Sequence, residues 1–158
     1  MEIRLRSGNR KDHEYIWRAT IETVWNDLPP DERDGVNRAE FEDHFRSRAN
    51  RVIESPENAV FIAEGSEQEP LGYIIVGAAS SMLSRRPFGF VYDLWVAPHV
   101  RRHSVASRLL QGAAEWCQER GFAKLKLEVG ATNAPARALY ASAGFIEERL
   151  TLGKAVRA

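Results

Sequence analysis

The chain has 158 residues, enough for one domain and too few for two ordinary ones. Its 44% hydrophobic and 28% charged residues suit a globular protein, and 22 Lys+Arg against 22 Asp+Glu leave no global field to favour nucleic acid or an anionic membrane. The longest apolar run, residues 71–79, is about half a membrane span, the start Met-Glu-Ile-Arg lacks a signal peptide's apolar stretch, and the lone Cys117 excludes an intrachain disulfide and a Cys-based zinc cage, so a soluble cytoplasmic domain is expected.

Ile3 and Leu5 alternate with charged neighbours, which predicts a short strand. Asp12 opens a predicted helix to Trp25, with Ile16, Ala19, Thr23 and Val24 on one face. A second helix is predicted over residues 37–53, where Phe41, Phe45, Ala49, Val52 and Ile53 keep helical spacing and Asn37 with Glu40 resembles a capping box. Strands are expected at 59–63, 71–79 and 88–96, the first two joined by a turn at 65–70. A helix follows over 104–120, with Val105, Leu109, Ala113, Trp116 and Cys117 inward and Gly121 as its stop. A strand at 123–129, a short helix at 133–143 capped by Asn133, and a last strand at 145–152 complete the pattern. The order β-α-α-β-β-β-α-β-α-β predicts one α/β domain over residues 1–158, a mixed central sheet with helices on both faces.

Two segments carry the chemistry. In the first, a strand ending at Val96 runs through Pro98 into the basic loop Arg101, Arg102, His103, and the loop opens an amphipathic helix at Ser104, Val105, Ala106 and Ser107. The first turn of a helix has unsatisfied N–H groups and a partial positive charge, so this end suits an anion such as a pyrophosphate; a solvated basic turn is the alternative. In the second, Asn133, Ala136, Leu139 and Tyr140 lie on a short helix that stops at Gly144-Phe145.

Together these segments resemble the GNAT superfamily of N-acetyltransferases. Val96, Pro98, Arg101, Ser104 and Ala106 match its V-x-P-x-x-R/Q-x-x-G-x-G/A loop for the acetyl-CoA pyrophosphate. Asn133, Ala136, Leu139, Tyr140, Gly144 and Phe145 match its N-x-x-A-x-x-L-Y-x-x-x-G-F pattern. The detailed likeness covers residues 88–148, and element order extends it along the chain. Ser104 departs from the pattern, standing at the family's first loop glycine. Serine there costs energy if φ is positive, and caps the helix or donates to a phosphate oxygen if φ is ordinary.

The resemblance implies direct transfer of an acetyl group from acetyl-CoA to a primary amine of a small molecule or peptide, with no metal. Tyr140 is then the expected acid for the leaving thiolate, since a phenol stays protonated at neutral pH; a packed ring with a solvated hydroxyl is the structural alternative. Leu94 and Val96 are expected to bind pantetheine through their backbone, with Trp95 beside them and an N–H near Leu94 as oxyanion donor. Asn133 serves as cap, as pantetheine contact, or as both. Asp93, a carboxylate among apolar strand residues, is a general base acting through water, an ammonium ligand, or a structural hydrogen-bond acceptor. Glu128 is read as structural and Glu22 as solvent-exposed. Glu22, Trp25 and Tyr92 are the candidates for the acceptor side, where an acidic stretch between Glu22 and Glu42 leans toward a small cationic amine.

His99 and His103 lie four apart, but Pro98 opposes helical presentation and no third ligand is evident, so no metal site is expected. The rival function is a GNAT-like module that binds CoA as a sensor with little or no turnover. A homodimer is an expectation by family analogy alone.

Overall fold

The structure, a computed structural model, describes residues 2–156, without the side chains of residues 26 and 27. The chain divides into two compact units, one running to Leu127 and the other starting at Glu128.

In the first unit, β1 (Arg4–Ser7), β2 (Asn58–Glu64), β3 (Pro70–Ser80), β4 (Pro87–Val96) and β5 (Leu125–Leu127) form one sheet in the order of the chain. The first four strands are antiparallel neighbours and β5 runs parallel to β4, so the sheet is mixed, as expected. Helices α1 (His13–Asp27), α2 (Pro30–Arg33) and α3 (Arg38–Ile53) lie between β1 and β2, and α4 (Val105–Glu119) between β4 and β5. The stretch between the two predicted helices thus holds a short helix, started by Pro30 at its first position. Alternation along β3 separates the two faces. Tyr73 and Ile75 join Ile16 and Ala19 of α1 in one buried cluster, while a Cβ on Gly72 would lie 3.4 Å from the Leu109 side chain of α4. The α4 face is well packed: Leu109 and Ala113 are fully buried, and a Cβ on Gly89 would clash with the Cys117 sulfur.

Helix α1 differs from the sequence expectation in its start and in its inward face. Asp12 does not cap α1, because a 3-10 turn at Arg10–Asp12 comes first and Asn9 caps that turn. Asp12 instead accepts from the Asn9 N–H at 2.7 Å and from both terminal nitrogens of Arg6 at 2.7 and 2.8 Å. Arg6 also reaches Glu64 on β2, so one guanidinium ties β1, β2 and the start of α1 together. The inward face of α1 also includes Thr20, which is buried, in place of Thr23, which is exposed.

The second unit holds α5 (Ala134–Ser142), capped by Asn133, whose side chain accepts from the Ala136 N–H at 3.2 Å. Gly144 takes φ +88° just past its end, the left-handed position that glycine fills without strain. The strand expected at 145–152 is absent among the described residues. Ile146, Leu150 and Leu152 are 83%, 74% and 91% exposed, so the side chains that alternation would place on a buried face are open to solvent. No helix of the described residues is long and apolar enough to cross a membrane.

Candidate active site

The centre of the site is an irregularity in β4. The β3–β4 register pairs Ile75 with Asp93 and then Val76 with Val91, so Tyr92 is an extra residue, a β-bulge. The bulge leaves Tyr92 44% exposed, with its ring edge-on to Phe90. The parallel ladder with β5 covers Gly89, Phe90 and Val91 and, among the described residues, ends there. From Tyr92 to Val96 the outer edge of β4 is therefore open. Ala97 N–H donates to Leu71 O, and antiparallel alternation from that pair turns the polar backbone groups of Leu94 and Val96 toward the open edge. These are the two residues expected to pair with pantetheine.

Asp93, the next residue after the bulge, points at α1. Its Oδ2 accepts from Thr20 Oγ1 and from the Tyr73 hydroxyl, both at 2.7 Å. The Thr20 and Tyr73 oxygens are in direct hydrogen-bond contact with each other. Burial raises the Asp93 carboxyl above the ordinary carboxylate range, partly offset by these donors. Burial and the neighbouring carboxylate push the Tyr73 phenol well up, so it remains a donor. Trp95 stacks on Tyr73 and meets Tyr15 of α1 edge-on at 5.7 Å. Of the three side chains that share this hydrogen-bonded contact the sequence marks Asp93; nothing local marks Thr20 or Tyr73.

Beside Trp95 lies a cavity of about 610 Å³ lined by Glu14, Tyr15, Arg18, Glu22, Trp95 and Arg101, among others. Glu22 does face this space, although its carboxylate pairs with Arg38. Glu14 pairs with Arg18, so the walls carry compensated charge. Trp25 packs tilted against Phe41 and lies under Arg38, an α1–α3 contact rather than a cavity wall.

Beyond β4 the chain turns through a 3-10 turn at Pro98–Val100 into the basic loop. Arg101 folds back to donate from Nε to Val96 O at 3.2 Å, and His103 Nδ1 hydrogen-bonds Arg101 O at 2.9 Å. Arg102 and His103 are exposed. Arg102 and Ser104 take φ +66° and +64°, the left-handed region. Ser104 makes no side-chain cap, so the ordinary-φ alternative is excluded and serine occupies a conformation that glycine would adopt freely. Arg108 N–H is the first in α4 bonded to a helical carbonyl, that of Ser104, so by helix geometry the N–H groups of Val105, Ala106 and Ser107 face outward from the first turn. The Val105 side chain is buried, leaving only its backbone for a ligand. Ser104→Gly should relieve the left-handed strain, raising stability by up to about 1 kcal/mol, or roughly 2–4 °C in thermal midpoint. Differential scanning calorimetry of the two chains checks this.

In the second unit Asn133 is the N-cap of α5, as read, and Ala136 supplies the N–H it holds. The Tyr140 ring lies edge-on to Phe145, 5.8 Å between centroids. Glu128 and His99 are exposed. Among the described residues no three His, Cys, Asp or Glu side chains gather as a metal site.

A bulged strand with an open edge thus leads through a left-handed loop to a helix amino terminus, in the strand, loop and helix where the sequence motifs lie. The model of the Acetyltransferase (GNAT) family matches residues 17–145. The chain belongs to this family. Among curated relatives, the uncharacterized N-acetyltransferase YhfO of Bacillus subtilis strain 168 is 30% identical over 96 residues, 61% of this chain. That match spans 64% of the relative, less than two thirds of its length. Among solved structures, a chain described as an acetyl transferase from Pyrococcus furiosus has 24% identity and a TM-score of 0.84, covering 98% of this chain and 100% of that one. The aminoglycoside enzyme AAC(6')-Iy, solved with the bisubstrate analogue CoA-S-monomethyl-acetylneamine, has 16% identity and a TM-score of 0.70, with both chains fully covered. At these identities the two structures support the GNAT fold.

Proposed function

We propose that the chain transfers an acetyl group from acetyl-CoA directly to a primary amine. The observation that carries this reading is the open edge of β4 beside the Asp93 carboxylate, continuous with the left-handed loop before α4. Acetyl-CoA would supply an activated acetyl thioester. The backbone of Leu94 and Val96 offers a strand edge to the pantetheine amides, with Trp95 between them turned to the acceptor side. Arg101, Arg102 and His103, with the N–H groups of Ser104, Val105, Ala106 and Ser107, supply positive charge and donors for a pyrophosphate. Asp93 takes the proton of the incoming ammonium, directly or through a water, because the amine needs a free lone pair to attack. An elevated carboxyl suits that task better than an ordinary one. Tyr140 donates to the leaving thiolate, and Asn133 with Ala136 contacts the cofactor's arm.

The acceptor is a small-molecule or peptide amine entering by the cavity that Glu22 and Trp95 line, with Tyr92 at the exposed bulge. The aminoglycoside-modifying neighbour supports a cationic small molecule as the class to try first.

The test begins with thermal unfolding with and without acetyl-CoA. A ligand at about 100 times its dissociation constant adds roughly 2.7 kcal/mol to the native state, an expected rise of roughly 5–10 °C. An amine panel read by CoA release then follows. No shift at millimolar acetyl-CoA overturns cofactor binding; a shift without transfer to any amine favours the non-catalytic CoA module.

A further inference from the structure

The hydrogen bonds around Asp93 do not fit one fixed pattern, and counting protons shows why. Thr20 Oγ1 lies 2.7 Å from Asp93 Oδ2 and 2.9 Å from the Ile16 carbonyl one turn earlier in α1, and it touches the Tyr73 hydroxyl. A threonine hydroxyl has one proton and two lone pairs, so it serves one of these acceptors at a time. With Asp93 ionised, Thr20 and Tyr73 both donate to Oδ2. With Asp93 protonated on Oδ2, the new O–H donates to Thr20 Oγ1, and Thr20 turns its own proton to Ile16 O. Every donor has an acceptor in both states, and no heavy atom has to move.

We propose that Thr20 is a positioning residue for Asp93, its hydroxyl rotating between the carboxylate and the Ile16 carbonyl so that this enclosed acid can gain and lose a proton without stranding a donor. A general base cycles between two protonation states, and each state must be solvated. In water the solvent reorients; here Thr20 performs that reorientation. Tyr73 is the fixed member, since its ring is fully buried and stacked on Trp95. The proposal rests on Asp93 acting as the base. A Thr20 that only braces α1 against β4 would need one of its two acceptors, not both.

The surroundings leave this network in control of the acid. β3 presents Tyr73, and α1 presents Thr20 with Tyr15 one turn before it, its phenol pushed up to about 12 by burial. β4 itself adds Tyr92 next to Asp93. Both phenols are neutral below that range, and among the described residues no Lys, Arg or His pairs with Asp93. A charge-assisted bond from Thr20 to the carboxylate is stronger than the neutral bond that replaces it, so the hydroxyl favours the ionised form.

The experiment is a pH titration of the full chain labelled with ¹³C at aspartate side-chain carboxyls and at threonine Cβ. Loss of one resonance in Asp93→Asn identifies Asp93 among the six aspartates. In the unmutated chain the Thr20 Cβ resonance should titrate with the Asp93 midpoint. Thr20→Val should raise that midpoint by about one unit, a tenfold gain in proton affinity, and Thr20→Ser should return it to the original value. A Thr20 Cβ that ignores the Asp93 titration overturns the proposal without any variant. So does an unmoved or lowered midpoint in Thr20→Val, or a serine that does not restore it. This readout needs neither acetyl-CoA nor amine. A parallel pH–rate profile with acetyl-CoA and neamine tests the base itself: transfer whose acidic limb ignores the Asp93 midpoint sinks the Asp93 assignment while leaving the titration result standing.

Discussion

Asp93→Asn should lower acetyl transfer to any amine the chain accepts by about 10²- to 10⁴-fold, the range for losing a general base, while making the protein more stable at pH 7. The two effects have one origin. Burial lifts the Asp93 carboxyl above its ordinary value, so the folded state holds this proton more tightly than the unfolded chain does. Stability linked to it is complete below the unfolded carboxylate range, near pH 4, and is lost as pH rises through the folded midpoint. At pH 7 the charged form is a standing cost of the fold. A neutral amide of the same shape removes that cost, accepts one hydroxyl with its oxygen, and cannot take a proton from an amine. Thermal midpoints of both chains at pH 4 and 7 check the stability half: the variant's advantage should be present at pH 7 and shrink at pH 4. Unchanged turnover with an identified amine would remove Asp93 from the mechanism.

Arg6→Met should cost about 3–5 kcal/mol, the range for stranding a buried partner of an ion pair, or roughly 10 °C in thermal midpoint. The Asp12 and Glu64 side chains are only 10% and 7% exposed, and both depend on Arg6. Arg4 also reaches Glu64, at 3.4 Å, but from a side chain 70% exposed. The Arg6 guanidinium holds the Asp12 carboxyl below its ordinary range, so its contribution is present above the unfolded carboxylate value and is lost as pH falls through the lower folded one. In the variant, Asp12 has lost that cation and protonation relieves it. The gap in urea midpoint between the two chains should therefore narrow on acidification. A gap that stays constant with pH would mean that the damage is packing rather than charge.

How far the sequence spoke depends on the range of each interaction. Asn133, Gly144 and the inward face of α4 were legible because a cap, a left-handed stop and a 3.6-residue period are written within a few residues. Asp12 misled for a related reason: an acid before an apolar helix reads as a cap, but its actual partner is a guanidinium on β1. The strand expected at 145–152 has the right alternation, yet alternation specifies a face and not a neighbour to pair with. Asp93 stood out as a lone carboxylate between apolar residues. Thr20 and Tyr73 did not, since 53 residues separate them and nothing local marks either as a donor to the same oxygen. Ser104 was legible as a departure, but only the backbone shows that the loop keeps the left-handed turn in spite of it.

The packing of Cys117 under Gly89 has a practical side. Burial raises the thiol above its usual range, and Gly89 leaves the sulfur no room, so thiol-reactive dyes should meet a silent protein. A colorimetric assay for released CoA would then count any turnover with no background from the protein's only cysteine. When the dye does begin to label the protein, it will be timing the moments at which α4 lifts from the sheet.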